Sequence, residues 1–243
     1  MEMRALITAA GMGKRFGVLT RKTNKSLFHV DGRSLIEHLL MRLKVAGIRK
    51  IYVVTGHQHA LLKKHVAASA SVFYNPFYRV SGILGSFWAA REALDGKPFL
   101  FTTSDHFFHP AVLRDCLGKK ADLRIVVQKK KCYTKEDAKV IIQNSKVIHL
   151  SKDIPLKNAH GEFGGMVFFS ARASTRFFEE LEGLFQKGDL HGYVMDILLL
   201  ISRKYAMPIT YSQCTEASRI EVDSVHDLIV ARRMAKKFKS RKG

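Results

Sequence analysis

The apolar run Ala5-Leu6-Ile7 gives way within two residues to Ala9-Ala10-Gly11-Met12-Gly13-Lys14-Arg15, the feature of this chain that does most to restrict its fold. A strand that ends in small residues and glycines lets backbone N–H groups come close to an anion, because no Cβ atoms stand in the way. Lys14 and Arg15 follow at once, and Lys25 comes ten residues after Arg15, so positive charge surrounds the turn as a polyphosphate would require. Single residues exclude two commoner phosphate turns. A dinucleotide-binding turn needs a third glycine at position 16, where Phe16 stands, and a Walker-type loop needs Ser or Thr after Gly13-Lys14, where Arg15 stands.

Through the first half, apolar runs of strand length alternate with amphipathic stretches, which predicts right-handed βαβ units around a parallel sheet. Strands are expected over 4–9, 50–55, 71–74 and 99–103. The last of these lacks alternation, as a strand buried on both faces does. Leu35, Ile36, Leu39, Leu40 and Leu43 fall at helical spacing before the stop at Gly47, and a second helix is expected over 85–94. Beyond residue 120 the pattern gives strands over 123–128, 164–169, 208–212 and 219–222, and a hairpin of 138–143 and 146–151 turning at Asn144-Ser145. Helices are expected over 174–185, 193–204 and 225–238, the last capped by Asp223 or Ser224. No repeat or linker divides the 243 residues, and 47% hydrophobic residues suffice for one packed α/β domain with a Rossmann-like, mixed and mostly parallel sheet flanked by helices.

Lys and Arg total 41 against 21 Asp and Glu, a formal charge of +20 that implies an anionic partner without naming it. Part of the excess lies in Arg232-Arg233 and Lys236-Lys237-Phe238-Lys239-Ser240-Arg241-Lys242, read as a solvated terminal helix and tail. No window approaches the roughly eighteen uninterrupted apolar residues of a membrane span, and Met1-Glu2-Met3-Arg4 carries no apolar leader segment, so a cytoplasmic protein is expected. Cys116, Cys132 and Cys214 form no Cys-x-x-Cys pair and read as reduced thiols. His57 with His59, and His106 with His109, lack a third ligand at zinc spacing. They read as satisfied or solvent-facing imidazoles, with His106 set apart by its neighbour Asp105. No Gly-x-Ser-x-Gly elbow supports a serine hydrolase.

Asp105 closes what is expected to be a central strand, at the carboxyl edge where open α/β sheets place ligands and metals. Asp223 follows the short run Ile220-Glu221-Val222, 118 positions later. On residues alone, Asp223 is open between a site carboxylate and a helix cap.

The glycine loop, Arg15 and the segment Asn24-Lys25-Ser26-Leu27 together resemble the signature of the nucleotidyltransferases, or sugar-nucleotide pyrophosphorylases. Asn24 stands where that family has proline, which predicts a less rigid support for Lys25. The resemblance implies a GT-A-like fold, with a nucleotide-binding half of about residues 1–120 and an acceptor-binding half of about 121–243. It implies that Ala9, Ala10, Gly11 and Gly13 hold the triphosphate, that Arg15 and Lys25 are the catalytic cations, and that Asp105 and Asp223 jointly hold Mg²⁺, an ion content with one or two carboxylates. The implied reaction is in-line attack by a phosphate monoester on the α-phosphorus of a nucleoside triphosphate. The nucleophile arrives ionised, with a second pKa near ~6, so no base is needed.

Asn75-Pro76-Phe77-Tyr78, Ser81-Gly82 and the run from Gly85 to Arg91 are similar to segments of the phosphocholine and inositol-phosphate cytidylyltransferases, which implies Ser81, Gly82 and Ser86 along base and ribose. Ser104-Asp105-His106, Glu136-Asp137-Ala138-Lys139-Val140 and Ser151-Lys152-Asp153-Ile154 look most like the inositol-1-phosphate branch. That implies CTP and inositol 1-phosphate as substrates and CDP-inositol and pyrophosphate as products. Lys139 and Lys152 would then hold the acceptor phosphate, and Glu162 and Gly165 would line the polyol pocket. Ser151, Glu162-Phe163-Gly164 and Ser81-Gly82 depart from that branch's usual residues. Phosphocholine or a hexose 1-phosphate is the alternative acceptor. A catalytically silent module binding nucleotide or nucleic acid through its basic surface is the alternative of a different class. Retention of Arg15, Asp105 and Asp223, with no nucleic-acid recognition pattern, speaks against it. A homodimer is left open.

Overall fold

The computed structural model describes residues 2–118 and 120–240; Met1 and the Arg241-Lys242 end of the basic tail lie outside the described residues. In chain order the first half runs β1 (Arg4–Ala9), β2 (His29–Val30), β3 (Arg33–Ser34), α1 (Leu35–Val45), β4 (Lys50–Thr55), α2 (His59–Val66), β5 (Ser71–Tyr74), α3 (Leu84–Ala89), α4 (Arg91–Leu94), β6 (Phe99–Thr103), β7 (His106–Phe108) and α5 (Pro110–Leu117). The second half runs β8 (Leu123–Lys129), β9 (Lys139–Gln143), β10 (Lys146–Ser151), β11 (Gly161–Phe169), α6 (Ala171–Gln186), α7 (Val194–Lys204), β12 (Ile209–Thr215), β13 (Arg219–Glu221) and α8 (Val225–Ser240).

One nine-stranded sheet passes through both halves in the order β5-β4-β1-β6-β11-β8-β12-β10-β9. The sheet is mixed, as expected: parallel ladders join β1 to β4 and β6 and β4 to β5 in the βαβ half, and β12 to β8 in the second half. β11 then enters antiparallel to both β6 and β8. The β9–β10 hairpin turns through Asn144 and Ser145, with φ of 48° and 59°, the two left-handed residues that a tight hairpin turn requires.

Local chemistry fixes the elements around the site. Ser34 and Glu37 form a reciprocal capping box at the start of α1, whose Leu35, Ile36, Leu39, Leu40 and Leu43 are all buried. The helix expected over 85–94 is broken at Ala90 (φ −105°, ψ 7°) into α3 and α4. β6 is buried on both faces. Phe99 stacks on Phe169 at 4.5 Å, with Phe87, Phe177 and Phe178 completing that layer, while Leu100 packs with Ile7, Leu39 and Leu43 on the other side. Each buried phenylalanine contributes roughly 1.5–3 kcal/mol, so the edge that carries Asp105 is anchored by the largest core in the chain.

Sequence periodicity gives no hint of β7, which is three residues long. It pairs antiparallel with β13, setting Glu221 opposite His106, and Val222 N–H donates to the Asp105 carbonyl at 2.9 Å. This small second sheet is the clasp that closes a separation of 118 positions between two aspartates.

Candidate active site

The glycine loop leaves β1 at the sheet's carboxyl edge. Gly13 adopts φ 60°, and a Cβ there would also press on Thr20 Cγ2 at 3.0 Å. Around Gly11 a Cβ would meet no protein atom within 4 Å. The protein's own packing therefore does not demand glycine at 11, and the bare backbone faces a cavity of about 260 Å³. Ala9, Ala10, Gly11, Gly13, Lys25, Gly82, Ser86 and Asp105 all line that cavity, together with Tyr78, which sequence reasoning did not single out as a site residue.

Asn24 reverses the expectation of a loose support for Lys25. It is buried, its amide donates to the carbonyls of Ala9 and His57 at 3.1 Å each, and its side-chain oxygen accepts from Ser26 N–H at 3.0 Å and Ser26 Oγ at 2.7 Å. A proline could stiffen the chain only through φ. Asn24 instead ties β1, the turn before α2 and the short 3₁₀ turn of Lys25–Leu27 into one unit.

Lys25 Nζ lies 2.7 Å from Asp105 Oδ2 and 2.6 Å from Asp223 Oδ1, and Arg15 Nη1 lies 2.7 Å from Asp223 Oδ2. The two carboxylates thus converge on a single cation. Burial alone would lower the Lys25 pKa, but Asp105 and Asp223 outweigh it and hold the ammonium above its ordinary value. Thr103 Oγ1 donates to Asp105 Oδ1 at 2.5 Å and orients it. The cap of α8 falls to Ser224, whose Oγ accepts from Asp227 N–H at 3.2 Å, which leaves the Asp223 carboxylate to face the two cations. The oxygen-only, paired-carboxylate set fits Mg²⁺, and the ammonium between its members shows that the gap accommodates a cation.

Behind Asp105 lies a group that the sequence could not reveal, because its members come from three elements, β7, β8 and β13. His106 is buried, and Arg219 donates to its Nε2 at 3.0 Å, with the Glu221 carboxylate 3.5 Å from the same nitrogen. Arg219 and Gln128 bind each other reciprocally through side chain and carbonyl. Burial would raise the Glu221 pKa, but His106 and Arg219 hold it far below the usual carboxylate range. Donor atoms of Asp105, His106 and Glu221 all lie within 4.8 Å of one another. With Arg219 on its outer nitrogen, His106 braces the Asp105 turn.

Gly165 belongs to this brace. It has φ 63°, and a Cβ would run into the His106 ring. That close approach by itself accounts for glycine at this position. Ser81 is buried one layer behind the cavity wall, its Oγ held by Asn75 Nδ2 at 3.2 Å and the Phe77 carbonyl at 2.9 Å.

The two acceptor lysines are placed differently. Lys139 is buried, and its ammonium donates to the carbonyls of Thr134, Lys135 and Asp137 at 3.2, 3.3 and 2.9 Å. All three protons are used, so Lys139 pins the 134–137 loop and has none to offer an acceptor phosphate. Lys152 is half-exposed, 3.6 Å from Glu136. Met166 pairs with Thr102, so the residues before it in β11 run past the carboxyl end of β6, on the Asp105 edge. There Glu162 pairs at 2.8 Å with Lys130, which also reaches Asp137 at 3.1 Å.

This architecture is that of the MobA-like NTP transferase domain, whose family model matches residues 5–193; the chain belongs to that family. It is 34% identical over 129 residues to the 2-aminoethylphosphonate cytidylyltransferase of Lancefieldella rimae, covering 49% of this chain and 52% of that protein, so it spans about half of that relative's length. It is 25% identical over 203 residues to the CTP:phosphoglutamine cytidylyltransferase of Campylobacter jejuni, covering 77% of this chain and 79% of that one. In fold it is similar to the inositol-1-phosphate CTP transferase of T. maritima, with a TM-score of 0.76, 18% identity, and coverage of 97% of this chain and 96% of that chain. Among the described residues, no helix is long and apolar enough to cross a membrane.

Proposed function

We propose that the chain is a Mg²⁺-dependent cytidylyltransferase that joins CTP to a small phosphate monoester, inositol 1-phosphate foremost, and releases pyrophosphate. The observation that carries this reading is the convergence of Asp105 and Asp223 on one cation at the mouth of a glycine-walled cavity. The cytidylyl preference draws on the names of the two curated relatives. The inositol preference draws on the short segments around Asp105, Lys139 and Lys152.

Asp105 and Asp223 would hold Mg²⁺, which when bound supplies charge neutralisation at the phosphates. Backbone N–H groups of residues 10–13 cradle the triphosphate, and Ser86, Gly82 and Tyr78 take the ribose and base. Arg15, whose side chain is 65% exposed, meets the incoming polyanion from solvent, while Lys25 works from the cavity wall. Both place fixed positive charge where negative charge develops, and the acceptor phosphate needs no proton removed.

A second reading changes the acceptor to one bearing an amine. Lys139 has no proton to give, whereas an acceptor amine would take the place of Lys130 between the Glu162 and Asp137 carboxylates. Pyrophosphate release with each of four nucleoside triphosphates against inositol 1-phosphate, phosphocholine, 2-aminoethylphosphonate and glucose 1-phosphate tests both. CTP with inositol 1-phosphate is the expected pair. Activity confined to amine-bearing acceptors moves the assignment to the second reading, and activity confined to glucose 1-phosphate overturns both.

A further inference from the structure

A groove of about 770 Å³ lies between α1, α5 and the end of α8, on the other side of Phe107 from the active site. Its walls are mostly apolar, with Met41, Val45, Phe107, Leu113, Leu117 and Phe238 among them. Into it is set a buried cation that has no counter-ion among the described residues. Arg42 is 7% exposed, stacks on the rings of Phe107 and Phe108 at 4.5 and 5.1 Å, and leaves Nη1 buried with no hydrogen-bond partner. Beside it His38, equally buried, donates from Nε2 to the Val30 carbonyl at 2.6 Å and leaves Nδ1 unpartnered. Among the described residues, the only carboxylate in the lining is Asp31, which Lys239 engages at 2.7 Å.

An uncompensated buried guanidinium is costly, and cation–π contacts recover only part of that cost. Burial pulls the Arg42 pKa down to about 10. Hydrophobic walls with a few convergent polar atoms, in a volume of this order, describe a ligand pocket. Arg33 and Arg114 at the lining add positive potential and no further acid.

We propose that this groove is a second ligand site, separate from the nucleotide cavity, and that it takes a small amphiphilic anion: one carboxylate or phosphate group on Arg42, with an apolar body along Phe107, Leu113 and Phe238. The anion supplies the counter-charge that the fold omits, and the body covers apolar surface that α1, α5 and α8 leave open.

Calorimetric titration of the full chain with octanoate, and with 1-octanol as its uncharged counterpart, tests this. The expected result is one-to-one octanoate binding at least tenfold tighter than 1-octanol, with that preference erased in Arg42→Met. Equal affinities for the two probes, no octanoate binding, or unchanged octanoate affinity in Arg42→Met overturns the proposal. A second measurement keeps to the wild-type chain and so does not depend on the variant folding. ¹³C-methyl spectra during the titration should shift Met41 and leave the distant core residues Met195 and Met207 in place. Absence of a Met41 response overturns the site.

Discussion

Lys25 sits where two carboxylates could share a metal, so in the absence of substrate it competes with any divalent ion for the same oxygens. Removing the ammonium while keeping the volume, in Lys25→Met, should tighten Mn²⁺ binding to the nucleotide-free protein about tenfold or more, read by electron paramagnetic resonance. Turnover should fall by about 10²-fold or more, because positive charge in the transition state is lost. Unchanged Mn²⁺ affinity would show that the carboxylates are not the ion's ligands. Lys139 provides a contrasting test. With its protons given to three carbonyls, Lys139→Met should lower the urea midpoint by the equivalent of about 2 kcal/mol, while leaving the acceptor KM within roughly twofold. A large rise in acceptor KM at unchanged stability would return Lys139 to the acceptor site.

At the scale of elements, the site depends on the β7–β13 clasp and on the bulky His106 that braces it. Gly165→Ala adds a methyl into the His106 ring and strains a left-handed backbone, so a loss of about 2–3 kcal/mol is expected in urea unfolding. Because His106 supports the Asp105 turn, kcat should fall as well; wild-type stability and kcat together would contradict the brace. The β1 loop, the buried β6 leading to Asp105 and the α1 helix were legible in the sequence because each is a local pattern of glycines, continuous apolarity or helically spaced apolar residues. Of the clasp only β13 was, as the strand expected over 219–222; the three residues of β7 carry no periodicity, and the partners His106, Arg219, Glu221 and Gln128 meet only after the sheet is assembled. The same limit hid the state of Lys139, since a lysine in a polar segment reads as surface until the three carbonyls that bury it are seen. Asn24 was visible but misjudged, because proline's stiffness is a local property and the asparagine's tethers to Ala9 and His57 are tertiary.

Across the whole molecule, the charge of +20 couples stability to acid. Backbone and hydroxyl donation from Ser34 holds the Glu37 pKa below its ordinary 4.5. Asp137 and Glu180 are lowered too, burial being outweighed by Thr134 and Lys130 for the first and by Lys204 and Tyr205 for the second. Groups with depressed folded-state values add stability that is full above their unfolded values and is lost as pH falls through the folded ones. Burial lowers the His38 pKa below its ordinary 6.5, so the urea midpoint should begin to fall below about pH 6.5, and it should drop further below about pH 4 as the carboxylates protonate, steepened by the growing net positive charge. A midpoint that rises on acidification would contradict these pairings. The pairing that matters most for function is that of Asp105 with Asp223, which only the folded chain brings together. It is tested most directly by a double-mutant cycle of Asp105→Asn and Asp223→Asn, read as kcat/KM for pyrophosphate release from CTP in Mg²⁺. Carboxylates that share one ion should each cost about 10²-fold or more when neutralised singly, with the double variant little worse than either; near-normal activity in Asp223→Asn, or fully additive losses, would contradict a shared metal site.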